Sequence, residues 1–147
     1  MAIRNIVKHG DAILREKSRP VTVFDKGLHM LIDDMIDTMH SADGVGLAAV
    51  QVGSLRRVFV ASPDGSKVIE LVNPVVLEAK GEQVYSEGCL SIPGRREEVT
   101  RPQYLKIKAA DRFGNERIIE AEDFLAVVFS HELDHLDGVL FLDRVEN

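Results

Sequence analysis

Two periods of hydrophobic residues occur along this chain, and each predicts a different kind of element. Near the N-terminus, apolar residues recur at helical spacing: Phe24, Leu28, Leu31, Ile32, Met35 and Met39. Helical spacing returns in residues 120–138, where Asp123 is the candidate N-cap and Gly138 the candidate stop. The pattern predicts one amphipathic helix near each end of the chain.

Between these two helices, five short runs alternate or are rich in β-branched residues, which is typical of strands. They are residues 57–61, 67–72, 75–79, 104–110 and 116–119, and turn residues separate them at 62–65, 73–74, 80–81 and 111–115. Short turns favour antiparallel pairing of neighbouring strands. The expected fold class is α+β, with antiparallel or mixed β-sheets packed around the C-terminal helix.

The bulk composition adds limits on organisation and partners. A chain of 147 residues that is 45% hydrophobic can bury one core, and it contains no linker or repeat, so residues 1–147 are expected to form one domain. The net charge of −6 argues against general nucleic-acid binding, so the pairs Arg56–Arg57 and Arg95–Arg96 are expected to be solvated. Because no secretory signal or membrane-length apolar run is present, we expect a cytoplasmic protein without membrane contact.

The C-terminal helix carries the sequence HELDH at residues 131–135. His131 and His135 are four residues apart, which is the spacing by which one helix face binds a divalent metal. Both continue the stripe of Phe124 and Val128 that is expected to face the core. A shared metal explains two inward imidazoles more economically than two separate hydrogen-bond acceptors, although separate acceptors or solvated histidines remain alternatives.

A third ligand is expected from upstream of this helix. In zinc peptidases with the same pentapeptide the third ligand lies well downstream, whereas this chain ends twelve residues after His135. The candidates are His9, His29, His40 and the single cysteine, Cys89. A lone cysteine is either a small buried hydrophobe or a functional thiolate, and the polar, glycine-containing flanks of Cys89 favour the thiolate. One cysteine and two histidines leave a tetrahedral ion one open position for water.

The segment DGVGLAAVQVG at residues 43–53 is a further candidate. Gly44, Gly46 and Ala49 fit the dinucleotide-binding pattern G-x-G-x-x-A, but that pattern follows a strand and here a predicted helix precedes it. Missing side chains instead allow a substrate or another backbone to come close, and Gln51 supplies a side-chain donor. A plain turn from helix to strand remains the alternative.

Three segments together resemble the signatures of the peptide deformylases, enzymes that remove the N-formyl group from new bacterial polypeptides. They are GVGLAAVQ (44–51), EGCLS (87–91) and HELDH (131–135), in the order found in that family. The resemblance covers nearly the whole chain, including SRPV (18–21) and LFLDRV (140–145). Two features depart from it: Ser130 replaces a common Gln, and the chain is too short for the C-terminal helix of several members. We therefore expect no ribosome docking through such a tail.

The resemblance implies a role for each site residue. It implies that Cys89, His131 and His135 hold the metal and that Glu132 is the general base. The oxyanion would be stabilised by the side-chain amide of Gln51 and the backbone N–H of Leu90. The cleft would be lined by Val45, Gly46 and Gly88, and the methionine pocket by Tyr85, Phe124, Val127 and Val128. The implied metal is ferrous iron, which zinc, nickel or cobalt can replace, and the implied substrates are N-formyl-methionyl nascent peptides, with at most a transient ribosome contact.

Two rival functions follow from the same residues. One is a metallopeptidase that cuts internal peptide bonds, which the missing downstream ligand disfavours. The other is a non-catalytic metal-binding fold, in which His9, His29 or His40 would close the site as a fourth ligand.

Because a thiolate weakens the ion as a Lewis acid, the formamide reaction would place more of the proton abstraction on Glu132. Asp134 lies off the metal face and is expected to be solvated or to support the ligands.

Overall fold

The computed structural model describes residues 2–145, which form two helices and seven strands. The helices are α1 (Lys26–Ser41) and α2 (Asp123–Leu136). The strands are β1 (Gly46–Ala48), β2 (Val58–Ala61), β3 (Ile69–Lys80), β4 (Gln83–Cys89), β5 (Ile92–Arg101), β6 (Tyr104–Ala110) and β7 (Glu116–Glu122). Short 3₁₀ turns lie at Ala12–Arg15, Ala49–Val52 and Phe141–Arg144. None of the described helices is long and apolar enough to cross a membrane.

The strands form two antiparallel sheets. Five of them make one sheet in the order β1-β2-β3-β6-β7, and β4 pairs only with β5 in a two-stranded hairpin. Successive residues of β2 point to opposite faces of the larger sheet. Val58 and Val60 pack with α1, whereas Phe59 and Ala61 lie in the cluster that contains the buried face of α2. The α+β prediction is confirmed, with α2 packed on one sheet face and α1 on the other.

One predicted turn is wrong. The sequence Asn73–Pro74 lies inside the continuous strand β3, where the pairing with β6 shifts register between Val72 and Val75. Asn73 has a positive φ of 52°, a conformation that asparagine tolerates better than most residues. Its side chain accepts a hydrogen bond from the N–H of Val21 at 2.7 Å and donates to the Val21 carbonyl at 2.9 Å. These residues therefore form a bulge fixed by the N-terminal segment, and the strand continues through it.

The C-terminal helix is shorter at its start than predicted. Residues 120–122 belong to β7, and α2 begins at Asp123, which is the first helical residue and not the N-cap. At the other end the prediction is correct, because Gly138 adopts a positive φ of 75° just after the helix. A Cβ on Gly138 would overlap the carbonyl of Arg15, so glycine is required there on two counts. Helix α2 thus ends against the N-terminal 3₁₀ turn.

Candidate metal centre and cleft

Cys89, His131 and His135 converge at one point. Cys89 is the last residue of β4, and the two histidines lie one turn apart on the buried face of α2. The Sγ of Cys89 is 3.4 Å from Nε2 of His135, which is 3.2 Å from Nε2 of His131. In the part of the chain from residue 2 to 145, this is the one group of at least three His, Cys, Asp or Glu side chains placed to hold a metal ion.

The electrostatics of this point favour a bound cation. Burial by itself lowers the pKa of His131, but the hydrogen bond with Cys89 and the charge of Glu132, together with Glu87, raise it to about 10. Burial and the charge of His131 hold the pKa of His135 well below its usual value. Cys89, Glu132 and Glu87 therefore favour positive charge at His131, and His135 is kept as an uncharged donor beside it. A divalent cation would supply positive charge at this point, and the sulfur and imidazole donors suit Fe²⁺, Zn²⁺, Ni²⁺ or Co²⁺.

The carboxylate of Glu132 is buried beside the three converging side chains. One of its oxygens, Oε1, has no hydrogen-bond partner among the described residues, and burial raises the pKa of Glu132 to about 7. The other oxygen, Oε2, packs against the backbone of Gly46, where an added Cβ would lie only 2.5 Å away. A buried carboxylate with a free acceptor and a raised pKa is suited to proton transfer.

Gln51 is held in one orientation by its own backbone turn. It lies in the 3₁₀ turn Ala49–Val52, and its Oε1 accepts a hydrogen bond from the N–H of Ala48 at 2.9 Å. The side-chain nitrogen therefore faces the opposite way, 3.1 Å from Oγ of Ser91 and 3.6 Å from Sγ of Cys89. An amide donor thus points towards the candidate metal centre.

Behind His131 lies a buried network that sequence analysis did not identify. Nδ1 of His131 is 3.0 Å from Oε1 of Glu87, whose two oxygens accept from Nε and Nη2 of Arg101 at 2.6 and 2.9 Å. Arg101 also donates to Asp134 at 2.7 Å, so Asp134 supports the ligands as one alternative predicted. With Nδ1–H donating to Glu87, the Nε2 lone pair of His131 is free for a metal. The available signal was Glu87, a charged residue two positions before Cys89, which needs a cationic partner if it is buried with Cys89.

A cleft of about 570 Å³ opens over these residues. Its lining includes twelve of the thirteen predicted site residues, all except His135: Val45, Gly46, Gln51, Tyr85, Gly88, Cys89, Leu90, Phe124, Val127, Val128, His131 and Glu132. The rings of Tyr85 and Phe124 lie 5.2 Å apart on one wall. Arg95 and Arg96 are exposed as expected, but they also line this cleft, which the sequence did not indicate.

The other histidines do not join the centre. In the described range 2–145 the ligand group contains none of His9, His29 and His40, and Nε2 of His29 instead lies 3.0 Å from the carbonyl of Arg112. The hydroxyl of Ser130 is buried and has no hydrogen-bond partner within that range, so it provides no polar support to the ligands. Among the described residues the group therefore has no fourth protein ligand, and two of its members, Cys89 and His131, line the cleft.

Comparison with known proteins assigns the family. The family model described as "Polypeptide deformylase" matches residues 3–147. A peptide deformylase of Heliobacterium modesticaldum is 56% identical over 147 residues, which is 100% of this chain and 97% of that protein. Peptide deformylase 1 of Clostridium acetobutylicum is 55% identical over 145 residues, covering 99% and 96% of the two chains. The crystal structure of a peptide deformylase from Thermotoga maritima is similar with a TM-score of 0.95 at 42% identity, covering 99% of both chains. Sequence, fold and site together show that this chain belongs to the polypeptide deformylase family, the enzymes that remove the N-formyl group from newly made polypeptides.

Proposed function

We propose that this protein deformylates the N-terminal methionine of nascent polypeptides with a divalent cation held by Cys89, His131 and His135. The observation that carries the proposal is the convergence of one sulfur and two imidazole nitrogens beside a buried carboxylate, next to an open cleft. A divalent cation there would polarise a carbonyl group and lower the pKa of a water ligand. The remaining steps fall to side chains and backbone of the chain itself.

Glu132 is assigned as the general base and acid. Its unpartnered Oε1 can accept a proton from the attacking water and then deliver it to the leaving amine. A carboxyl group whose pKa is near 7 both takes up and releases protons at neutral pH. The packing of Gly46 against Oε2 fixes the side chain in the position from which it acts.

Gln51 and the backbone N–H of Leu90 are assigned to the developing oxyanion. The side-chain nitrogen of Gln51 is oriented by the hydrogen bond from Ala48 to Oε1 and lies 3.6 Å from Sγ of Cys89, so a donor is held beside the place where charge would develop. The side chain of Leu90 packs against Gly44, where an added Cβ would lie 2.6 Å from Cδ1 of Leu90. This close contact helps to hold Leu90 in place. A fixed donor of this kind typically lowers the barrier by about 3 kcal/mol.

The shape of the cleft favours a formyl group followed by methionine. Gly46 and Gly88 line the cleft near the candidate metal centre. If their backbone lies close to the bound carbonyl, a formyl hydrogen would fit there and the methyl group of an acetyl would collide. The apolar wall formed by Phe124, Val127 and Val128 suits an unbranched thioether side chain. Burial of that side chain is expected to favour methionine over alanine by about 1–3 kcal/mol.

We further infer that the physiological metal is ferrous iron and that zinc, nickel or cobalt can replace it. An open Fe(II) site beside a thiolate is prone to oxidation, so activity of the iron form should decay in air faster than that of the nickel form. The match over residues 3–147 supports a single catalytic domain. Because formylated chains are made in the cytoplasm, we place the enzyme there, with no more than a transient contact with the ribosome.

The test is formate release from matched peptides. The purified, metal-loaded protein should release formate from an N-formyl-methionyl peptide, act far more slowly on the formyl-alanyl analogue, and leave the N-acetyl-methionyl analogue intact. Mass spectrometry of the same reactions reports internal cleavage. Cleavage of internal bonds with retention of the formyl group would instead identify a metallopeptidase.

A further inference from the structure

We infer that Arg144 is a positioning residue for the metal ligand His131, although the two side chains do not touch. The inference rests on the proposed function, since it takes His131 to be a ligand. Five side chains join the surface to the metal centre, and we call them the ion-pair chain: Arg144, Asp134, Arg101, Glu87 and His131.

The outer half of the ion-pair chain is one carboxylate held between two guanidinium groups. Arg144 donates from Nη2 to Oδ1 of Asp134 at 3.0 Å and from Nε to Oδ2 at 3.2 Å. The same Oδ2 accepts from Nη1 of Arg101 at 2.7 Å. Both oxygens of Asp134 are thus occupied, so its carboxylate plane is fixed relative to α2.

The inner half is more deeply buried. The exposed fraction of the side chain falls from 51% at Arg144 to 15% at Asp134 and 4% at Arg101. Arg101 holds both oxygens of Glu87, and Oε1 of Glu87 lies 3.0 Å from Nδ1 of His131. A buried charge without a partner destabilises the folded state, so the position of each side chain in the ion-pair chain depends on the position of its neighbour.

The charges along this path explain why its outermost member affects the ligand. With Arg144 present, the negative charge of Asp134 is shared by two cations, and Arg101 remains centred on Glu87. Without Arg144, Asp134 keeps Arg101 as its sole cationic partner in the ion-pair chain and attracts it more strongly, away from Glu87. Glu87 then holds the imidazole of His131 less firmly, which loosens the orientation of the ligand.

The local structure allows this effect to be separated from simple docking of the C-terminal segment. Arg144 lies in the 3₁₀ turn Phe141–Arg144, which is also anchored by buried Phe141 and by a bridge between Val145 and Val99. A second surface ion pair, between Arg15 and Asp143, holds the same turn without touching the ion-pair chain. The Arg15 side chain is 48% exposed, close to the 51% of Arg144, so Arg15→Gln is a matched control.

The experiment measures the dissociation constant for Co²⁺ by chelator competition, with the thiolate-to-cobalt absorption band as a second readout. A partly exposed ion pair changes an equilibrium by a factor of roughly 1.4 to 5. Arg144→Gln is therefore expected to raise the dissociation constant about 2- to 5-fold and to alter the cobalt spectrum. Arg144→Lys should recover part of the loss, and Arg15→Gln should leave both readouts unchanged.

A double variant tests the route. Because Arg144 acts through Asp134, the substitution Arg144→Gln should have no further effect in an Asp134→Asn background. Equal losses in Arg15→Gln and Arg144→Gln, or an undiminished effect of Arg144→Gln beside Asp134→Asn, would overturn the inference while leaving the metal site intact. If the wild-type protein itself shows no thiolate-to-cobalt band, the proposed ligand set is wrong, and the role of Arg144 is wrong with it.

Discussion

Replacing Gly46 with alanine should displace the general base without removing the metal. The added Cβ would lie 2.5 Å from Oε2 of Glu132 and 3.0 Å from Cγ1 of Val128. Ordinary contact begins at 3.4 Å, so the carboxylate oxygen has to retreat by 3.4 − 2.5, or about 0.9 Å. A displacement of this size at a reacting group costs on the order of 100-fold in rate. We expect kcat for formate release to fall by roughly that factor, with metal content near wild type.

The assay has to separate this effect from loss of fold and from obstruction of the substrate. Overpacking at Gly46 is expected to lower the free energy of unfolding by about 1–3 kcal/mol, which a domain of ordinary stability tolerates. A thermal unfolding measurement checks that the variant is folded. Obstruction would appear mainly as a raised KM, whereas displacement of Glu132 lowers kcat at saturating substrate. The control is Gly27→Ala in α1, where the added Cβ would make an ordinary 3.4 Å contact with Asp25 and kcat should not change. A Gly46→Ala enzyme that is fully metal-loaded and turns over at the wild-type rate would refute the argument.

Three further predictions concern the ligands, the base and the acid stability of the fold. Cys89→Ala should lose the metal in elemental analysis, whereas alanine at His9, His29 or His40 should not, and a stoichiometric metal in the Cys89 variant would contradict the ligand set. Glu132→Gln should keep its metal while turnover falls by about 100-fold or more, and a near-normal rate would exclude Glu132 as the base. The N–H of Ala2 and the guanidinium of Arg4 lower the pKa of Asp34 below 3.8, so Asp34 stabilises the fold above about pH 4 and this contribution is lost as the pH falls further. The free energy of unfolding, measured in denaturant between pH 2 and 6, should therefore depend less on pH in Asp34→Asn.

The residues that could be predicted from sequence are those whose spacing is local. His131 and His135 are one helical turn apart, and the apolar residues around them show the same period, so the helix and its inward face follow from a short segment. The signature around Cys89 then supplied the third converging group. Arg101 could not be found this way, because an arginine between Thr100 and Pro102 is equally consistent with a solvated strand end. Its partner Glu87 lies on the neighbouring strand β4, 14 residues earlier in the chain, and the contact is made by the two side chains across the hairpin.

The elements that were missed depend on partners outside their own short segment. β4 and β5 contain glycine and a charged run, and their exposed residues lie in consecutive stretches at 84–86 and 93–96, so neither strand shows a clear alternation. They form strands because they pair with each other. The predicted turn at Asn73–Pro74 became a bulge because the backbone of Val21, 52 residues away, satisfies the Asn73 side chain. Local turn preference was therefore overridden by a distant partner.

The hairpin of β4 and β5 stands apart from the five-stranded sheet, and it is this hairpin that supplies Cys89. A two-stranded hairpin has little stability of its own in water. A cation bound to Cys89 and to the α2 histidines would connect positions 89 and 131, 42 residues apart, and would act as a reversible cross-link between two parts of the molecule. Metal occupancy would then determine how often the hairpin opens. On addition of a chelator, the amide protons of β4 and β5 should exchange with solvent sooner than those of β2 and β3.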